Sequence, residues 1–166
     1  MKFDIYQVEQ YCDKHGIRLT ERRKQVLGEL LQSEKALSAY ELIDDCNKKA
    51  KKNISAMSIY RILDYLESQR LIHKLNLTNK YVACSHIACE HGHVTSQFLI
   101  CGGCSKVEEV NFSPSAISAL EASVEEAGFS LMSPHIELKC LCGPCSKEQL
   151  NKESVKKSEK LPNRRR

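Results

Sequence analysis

The chain has 166 residues, 42% hydrophobic and 28% charged, a globular composition with room for one large domain or two small ones. Its longest apolar runs are only a few residues, such as Phe98–Cys101, which excludes a membrane-spanning helix. Residues 1–16 lack the apolar stretch of a secretory signal, so a cytoplasmic protein is expected. The net charge of +4 hides three unlike segments. Residues 1–75 carry 14 basic and 11 acidic groups, residues 76–150 carry 4 and 8, and residues 151–166 carry 7 and 2. Of nine cysteines, only Cys12 and Cys46 fall in the first segment. In a reducing compartment such cysteines are thiols or metal ligands, and an odd number cannot all pair within the chain.

Apolar residues at Ile5, Val8 and Tyr11 predict a first helix over Asp4–His15, stopped by Gly16. Thr20 is expected to cap a second helix that buries Val26, Leu27, Leu30 and Leu31. Ser38-Ala-Tyr-Glu41 has the form of a capping box and starts a third helix, burying Leu42, Ile43 and Cys46. Asn53 or Ser55 caps a fourth helix, running through Gln69 with Ile59, Ile62, Leu63 and Leu66 inward. Leu71–Leu75 and Lys80–Cys84 read as strands joined by a turn at Asn76–Asn79.

That order of elements is a winged helix-turn-helix, in which the helix before the hairpin enters the DNA major groove. Its outward residues are expected to be Ser58, Tyr60, Arg61 and Asp64. An arginine there can pair bidentately with a guanine edge, and a tyrosine can reach a phosphate or a thymine methyl. Arg22, Arg23 and Lys24, with Lys48, Lys49, Lys51 and Lys52, are candidates for phosphate contact. A charge run such as Lys48–Lys52 is more often a solvated surface, and +3 over 75 residues is a weak electrostatic footprint.

The second half carries two CxxC pairs, Cys101-Gly-Gly-Cys104 and Cys142-Gly-Pro-Cys145, with 37 residues between the inner cysteines. Two such turns complete a Cys₄ shell for a structural Zn²⁺, leaving no open position for substrate. Between them, Phe98–Ile100 and Val107–Val110 read as strands. Ser113-Pro114 starts a helix that runs to Ala127 and stops at Gly128, and Ile136–Cys140 is a further strand. Cys142-Gly-Pro-Cys145 also spells the motif of thiol-disulfide oxidoreductases. Here it lies near the end of the sequence with no Trp before it, and redox chemistry does not account for the other CxxC. His135-Ile-Glu137 with Pro144-Cys145 resembles part of a zinc deaminase signature. That signature requires a further cysteine where Glu148 stands.

Other ligand-type residues gather between the halves: His73, Cys84, His86, Cys89, His91 and His93, with Glu108 and Glu109 just beyond. A mixed N/S/O set drawn from these suits tetrahedral Zn²⁺, and a thiolate disfavours Mg²⁺ and Mn²⁺. Ligands taken from both halves would let a metal fix the angle between them.

Taken together, these features resemble the ferric uptake regulator family, and within it the zinc uptake regulator branch. The matching stretches are Leu19-Thr-Glu-Arg-Arg23, Ser38-Ala-Tyr-Glu-Leu42, Ser58-Ile-Tyr-Arg-Ile-Leu63, Ile72-His-Lys74, Asn79-Lys-Tyr-Val-Ala-Cys84 and Gln97-Phe-Leu-Ile-Cys101. The resemblance implies an α+β chain, a winged helix over residues 1–84 followed by a small α/β dimerisation domain over 95–150. Residues 85–94 would be a hinge with metal ligands; beyond the resemblance, composition makes 151–166 a basic tail that is expected to be disordered. The resemblance also implies a homodimeric, zinc-dependent transcriptional repressor of zinc-uptake genes, not an enzyme, that binds double-stranded DNA operators. Its sensing ligands would be His73, Cys84, Glu109 and His93, with His91 the alternative to His93. Tyr40 and Arg61 would contact bases. His86 and His135 would belong to an additional site or to none. An iron- or other-metal-responsive regulator is the alternative within the same family.

Overall fold

The computed structural model describes residues 4–49, 53–87, 97–132 and 135–149, and among them are helices α1–α5, strands β1–β5 and a further helical segment at 143–149. The expectations placed on Cys89, His91, His93, Lys51, Lys52 and the tail 151–166 lie outside the described residues.

The first four helices fold around one apolar core. α1 (Ile5–Lys14) opens with a reciprocal capping box: Asp4 accepts the Gln7 amide, and Gln7 accepts the Asp4 amide. Gly16, at φ +69°, ends the helix. α2 (Glu21–Gln32) buries Val26, Leu27, Leu30 and Leu31. Thr20 holds the N-cap position with extended backbone, but its side chain makes no capping hydrogen bond, contrary to expectation. α3 (Ala39–Lys49) begins at the Ser38/Glu41 capping box and buries Ala39, Leu42 and Cys46. Ile43 packs only partly buried against the same core. α4 (Ala56–Ser68) is capped by Ser55, not Asn53, and turns Ile59, Ile62, Leu63 and Leu66 inward. It stops through Arg70, which sits at φ +57° where glycine is the usual choice.

β1 (Ile72–Leu75) and β2 (Lys80–Ala83) pair antiparallel, with Asn79 at φ +50° in the turn between them. Leu37, before α3, pairs with Tyr81 on the outer edge of β2, which fixes the hairpin to the helices. A second sheet has the order β4-β3-β5, from β3 (Gln97–Cys101), β4 (Val107–Val110) and β5 (Ile136–Cys140). β4 runs antiparallel to β3 and β5 runs parallel to it, the parallel connection passing through α5 (Pro114–Glu126). Residues 143–149 are helical after β5.

The two sheets meet at a small apolar cluster. Leu75 of β1 and Ala36 pack with Phe98 and Ile100 of β3, and Val82 and Val107 close its rim. Phe98 is the centre of this contact. Its Cα partners are Glu109 on β4 and Glu137 on β5, so the three side chains form one row across the same face of the sheet.

Burial within α4 separates core from surface on a single helix. Leu63→Ala removes a fully buried side chain and is expected to cost about 2–5 kcal/mol in chemical denaturation. The exposed Glu67→Ala on the same helix should change stability by less than about 0.5 kcal/mol.

Candidate metal centres

Among the described residues, two side-chain clusters have the donors and spacing to hold a metal ion. In the first, the Sγ atoms of Cys101, Cys104, Cys142 and Cys145 all lie within 4.8 Å of one another. Cys104 and Cys142 have their sulfurs 3.7 Å apart. A tetrahedron with Zn–S bonds of about 2.3 Å has sulfur–sulfur edges of about 3.8 Å, so the set fits that ion. The cradle is tight. A Cβ at Gly103 would come within 2.9 Å of the Cys145 sulfur, so this turn of the knuckle excludes a side chain.

The electrostatics of the cluster call for a cation. Amide hydrogen bonds from Cys142, Cys104 and Gly103 bring the Cys101 thiol down to about 6. Hydrogen bonds to Cys142, Cys104 and Cys101 push Cys145 up to about 12. The backbone thus stabilises the Cys101 thiolate while Cys145 is held protonated, and a bound cation would let both ionise together. The lowered thiol belongs to the first pair, not to Cys142-Gly-Pro-Cys145, and the latter's sulfurs are packed against the first pair. An oxidoreductase needs its CxxC to stand alone and its first cysteine to be the activated one.

The second cluster joins the two sheets. His73 comes from β1, Cys84 follows β2, and Glu109 comes from β4, with one donor atom of each within 4.8 Å of the others. His73 Nε2 lies 3.5 Å from Glu109 Oε1. Glu109 is held on its other oxygen by the Ser85 amide at 2.8 Å, and His86 Nδ1 approaches Oε1 at 3.3 Å. Burial pushes the Glu109 carboxyl up, but the Ser85 amide and the two imidazoles offset this and leave it below the usual carboxylate range. Cys84 is buried, and the His86 amide donates to its sulfur at 3.4 Å. A buried carboxylate and a thiol served by an amide, facing an imidazole, form a zinc-type donor set. A cavity of about 160 Å³ opens beside Cys84 and Glu109.

Strand alternation decides between the neighbouring acids. Glu109 faces inward beside Phe98, while Glu108 is exposed on the opposite face. His86 meets Glu109 but lies outside the three-donor group. His135 is also outside it and pairs with Glu137 instead, at 2.9 Å. Of the cysteines without an expected role, Cys12 and Cys46 are core residues whose burial pushes their thiols up to about 11.

On the helical face, Tyr40 is 69% exposed at the start of α3. Tyr60, Arg61 and Asp64 are exposed along α4. Ser58 is half-buried and its hydroxyl shares a hydrogen bond with Ser55. Arg22 is exposed. Arg23 differs from the expectation of a phosphate contact: its guanidinium lies 3.3 Å from the centre of the Tyr65 ring and donates to the Arg18 carbonyl. Lys24 pairs with Glu9 and Glu21, Lys48 with Asp45, and Lys49 with Glu29.

Comparison with known proteins gives a consistent picture. A model of the ferric uptake regulator family matches residues 14–139. The zinc uptake regulation protein of Escherichia coli K12 is 32% identical over 141 residues, covering 85% of this chain and 80% of that protein. A solved zinc uptake regulator complexed with zinc and DNA superposes with a TM-score of 0.72 at 30% identity, over 88% of this chain and 95% of that one. The crystal structure of holo XcZur superposes with a TM-score of 0.68 at 31% identity, over 86% and 96% of the two chains.

The two clusters should differ in how they release metal. The wild-type protein is expected to carry about two zinc equivalents per chain, falling to about one under mild chelation. Cys104→Ser should lose the retained equivalent, with unfolding of the second sheet seen by circular dichroism.

Proposed function

The chain belongs to the ferric uptake regulator family, and from that premise we propose that it is a zinc-responsive, DNA-binding transcriptional repressor of zinc-uptake genes, a regulator rather than an enzyme. The observation that carries this reading is the meeting of His73, Cys84 and Glu109 across the junction of the two sheets. The winged helix spans 1–84, the hinge 85–94, the dimerisation domain 95–150 and the basic tail 151–166. His93 completes the sensing set, with His91 the alternative. Cys101, Cys104, Cys142 and Cys145 hold a permanent structural zinc.

His73 of β1, Cys84 after β2 and Glu109 of β4 would hold the zinc, which would supply a single cation shared by the three elements. The chain's own groups prepare that site. Ser85 and His86 hold Glu109 in place and ionised, and the His86 amide faces the Cys84 sulfur. Joining β4 to the hairpin restricts how α4 is carried relative to the second sheet. The DNA affinity gained is matched by zinc affinity gained on DNA, because such coupling is reciprocal.

A second copy of the chain is the partner of the second sheet. α5 buries no residue within the chain, and Leu120, Phe129, Leu131, Met132, Leu138 and Leu141 are exposed around it and β5. β5 is an edge strand with one side unpaired within the sheet. A homodimer covers that surface and presents two α4 helices to a palindromic operator, in major grooves about 10 base pairs apart or a multiple of that. Tyr40, Tyr60 and Arg61 face the bases and Arg22 a phosphate, with Ser58 at the start of α4. Arg23 contributes by bracing Tyr65 from behind α4.

Binding to a duplex enriched from a random pool by the zinc-loaded protein tests this reading. Cys84→Ser should abolish zinc-dependent binding while keeping the dimer and about one zinc per chain. Unfolding by Cys84→Ser would instead make Cys84 structural. Arg61→Ala should cost about 1–3 kcal/mol on the enriched duplex and relax its sequence preference. An equal loss on random DNA would make Arg61 a phosphate contact only.

A further inference from the structure

The sensing set ties the β1–β2 hairpin to one edge of the second sheet, and a separate contact ties it to the other. Glu137 of β5 reaches the hairpin turn with both carboxylate oxygens. Oε1 accepts the Asn76 amide at 2.7 Å and Oε2 accepts the Leu77 amide at 2.8 Å. His135 Nε2 donates to Oε1 at 2.9 Å. The Glu137 side chain is only 6% exposed although the turn residues it holds are at the surface. Burial pushes its carboxyl up, yet the Leu77 and Asn76 amides and His135 keep it below the usual carboxylate range. None of His73, Cys84, Glu109 or the four clustered cysteines takes part in this contact.

The placement is what gives it a role. Glu137 and Glu109 are both register partners of Phe98, on opposite strands of the same sheet. The rings of His73 and His135 flank Phe98, at 5.1 and 5.3 Å between centroids. β1 therefore spans the sheet, with His73 near the Glu109 edge and its turn on the Glu137 edge. The Ser85 amide on Glu109 holds the hairpin's exit at one edge, Leu75 packs on Phe98 between, and Glu137 holds the turn at the other edge.

We infer that Glu137 is a positioning residue that pins the tip of the hairpin to β5 whether or not the sensing set is filled, so that filling the set acts on a hairpin whose tip is already placed. This rests on the regulatory reading above. The pin limits the angles open to the metal-free chain, so less conformational freedom remains to be lost when zinc and DNA bind.

The test compares full-length wild type with Glu137→Ala and Glu137→Gln, zinc-saturated, on the enriched duplex and on a random duplex of equal length. Glu137→Ala should weaken binding to the enriched duplex about tenfold or more, as expected for losing hydrogen bonds to a charged acceptor. Binding to the random duplex, zinc content and dimerisation should be unchanged. Glu137→Gln keeps one acceptor oxygen and should fall between. Wild-type affinity in both variants, or equal losses on both duplexes, overturns the inference. Hydrogen exchange on the wild type provides a readout that needs no variant. The Asn76 and Leu77 amides should be protected relative to the Thr78 amide, with and without the second zinc, and unprotected amides overturn the pin. If the wild type shows no zinc-dependent binding to any duplex, the regulatory reading fails, and exchange alone decides the pin.

Discussion

Two carboxylates sunk on either side of Phe98 dictate how the two halves of this chain meet. Burying an ionised carboxylate is strongly unfavourable unless hydrogen-bond donors replace its water. The second sheet does not satisfy either group by itself. Glu109 takes the Ser85 amide and faces His73 and His86, and Glu137 takes the Asn76 and Leu77 amides together with His135. Most of these donors belong to the hairpin and its exit. The hairpin has to lie across the row for both acids to be satisfied, and Leu75 then packs on Phe98 beneath it.

The same row separates permanent from conditional contacts. On the β5 side the partners are backbone amides and one imidazole, complete within the chain. On the β4 side the partners include His73 and a nearby thiol, which are donors a metal uses. The Cys₄ cluster sits at the ends of β3 and β5 and beside the start of the final helical segment. It lies on the sheet that carries the row, so in the proposed reading a metal there would serve folding and a metal at the other cluster would serve signalling. Leu138 of β5 is exposed on the face opposite Glu137.

Much of this architecture is legible in residue patterns. The burial spacing of Val26, Leu27, Leu30 and Leu31, the Ser38/Glu41 box and the Ser113-Pro114 start all correspond to local physics that acts within one turn of helix. The CxxC pairs are legible for the same reason, since a two-residue spacing leaves little freedom for the sulfurs. What escapes is tertiary. Arg23 looks like a free cation until Tyr65 is brought to it across 42 positions of sequence. Thr20 looks like a cap, but nothing local forces its hydroxyl to the helix amides. The choice of Glu109 over Glu108 depends on which face of β4 meets β3, and strand phase is not set by two adjacent glutamates. Glu137 shows no motif, because its partners are backbone amides, which every sequence has.

In the proposed reading, filling the His73, Cys84 and Glu109 set narrows the orientations of the recognition helices. Met57 is 68% exposed on α4 and accepts a spin label introduced as a non-natural residue, leaving the cysteines untouched. The distance distribution between labels in the two protomers, recorded at about one and about two zinc equivalents per chain, measures the claim directly. The account predicts a broad distribution at one equivalent that sharpens at two, around a separation near 34–36 Å or a multiple of it. The same mean and width at both loadings would contradict it.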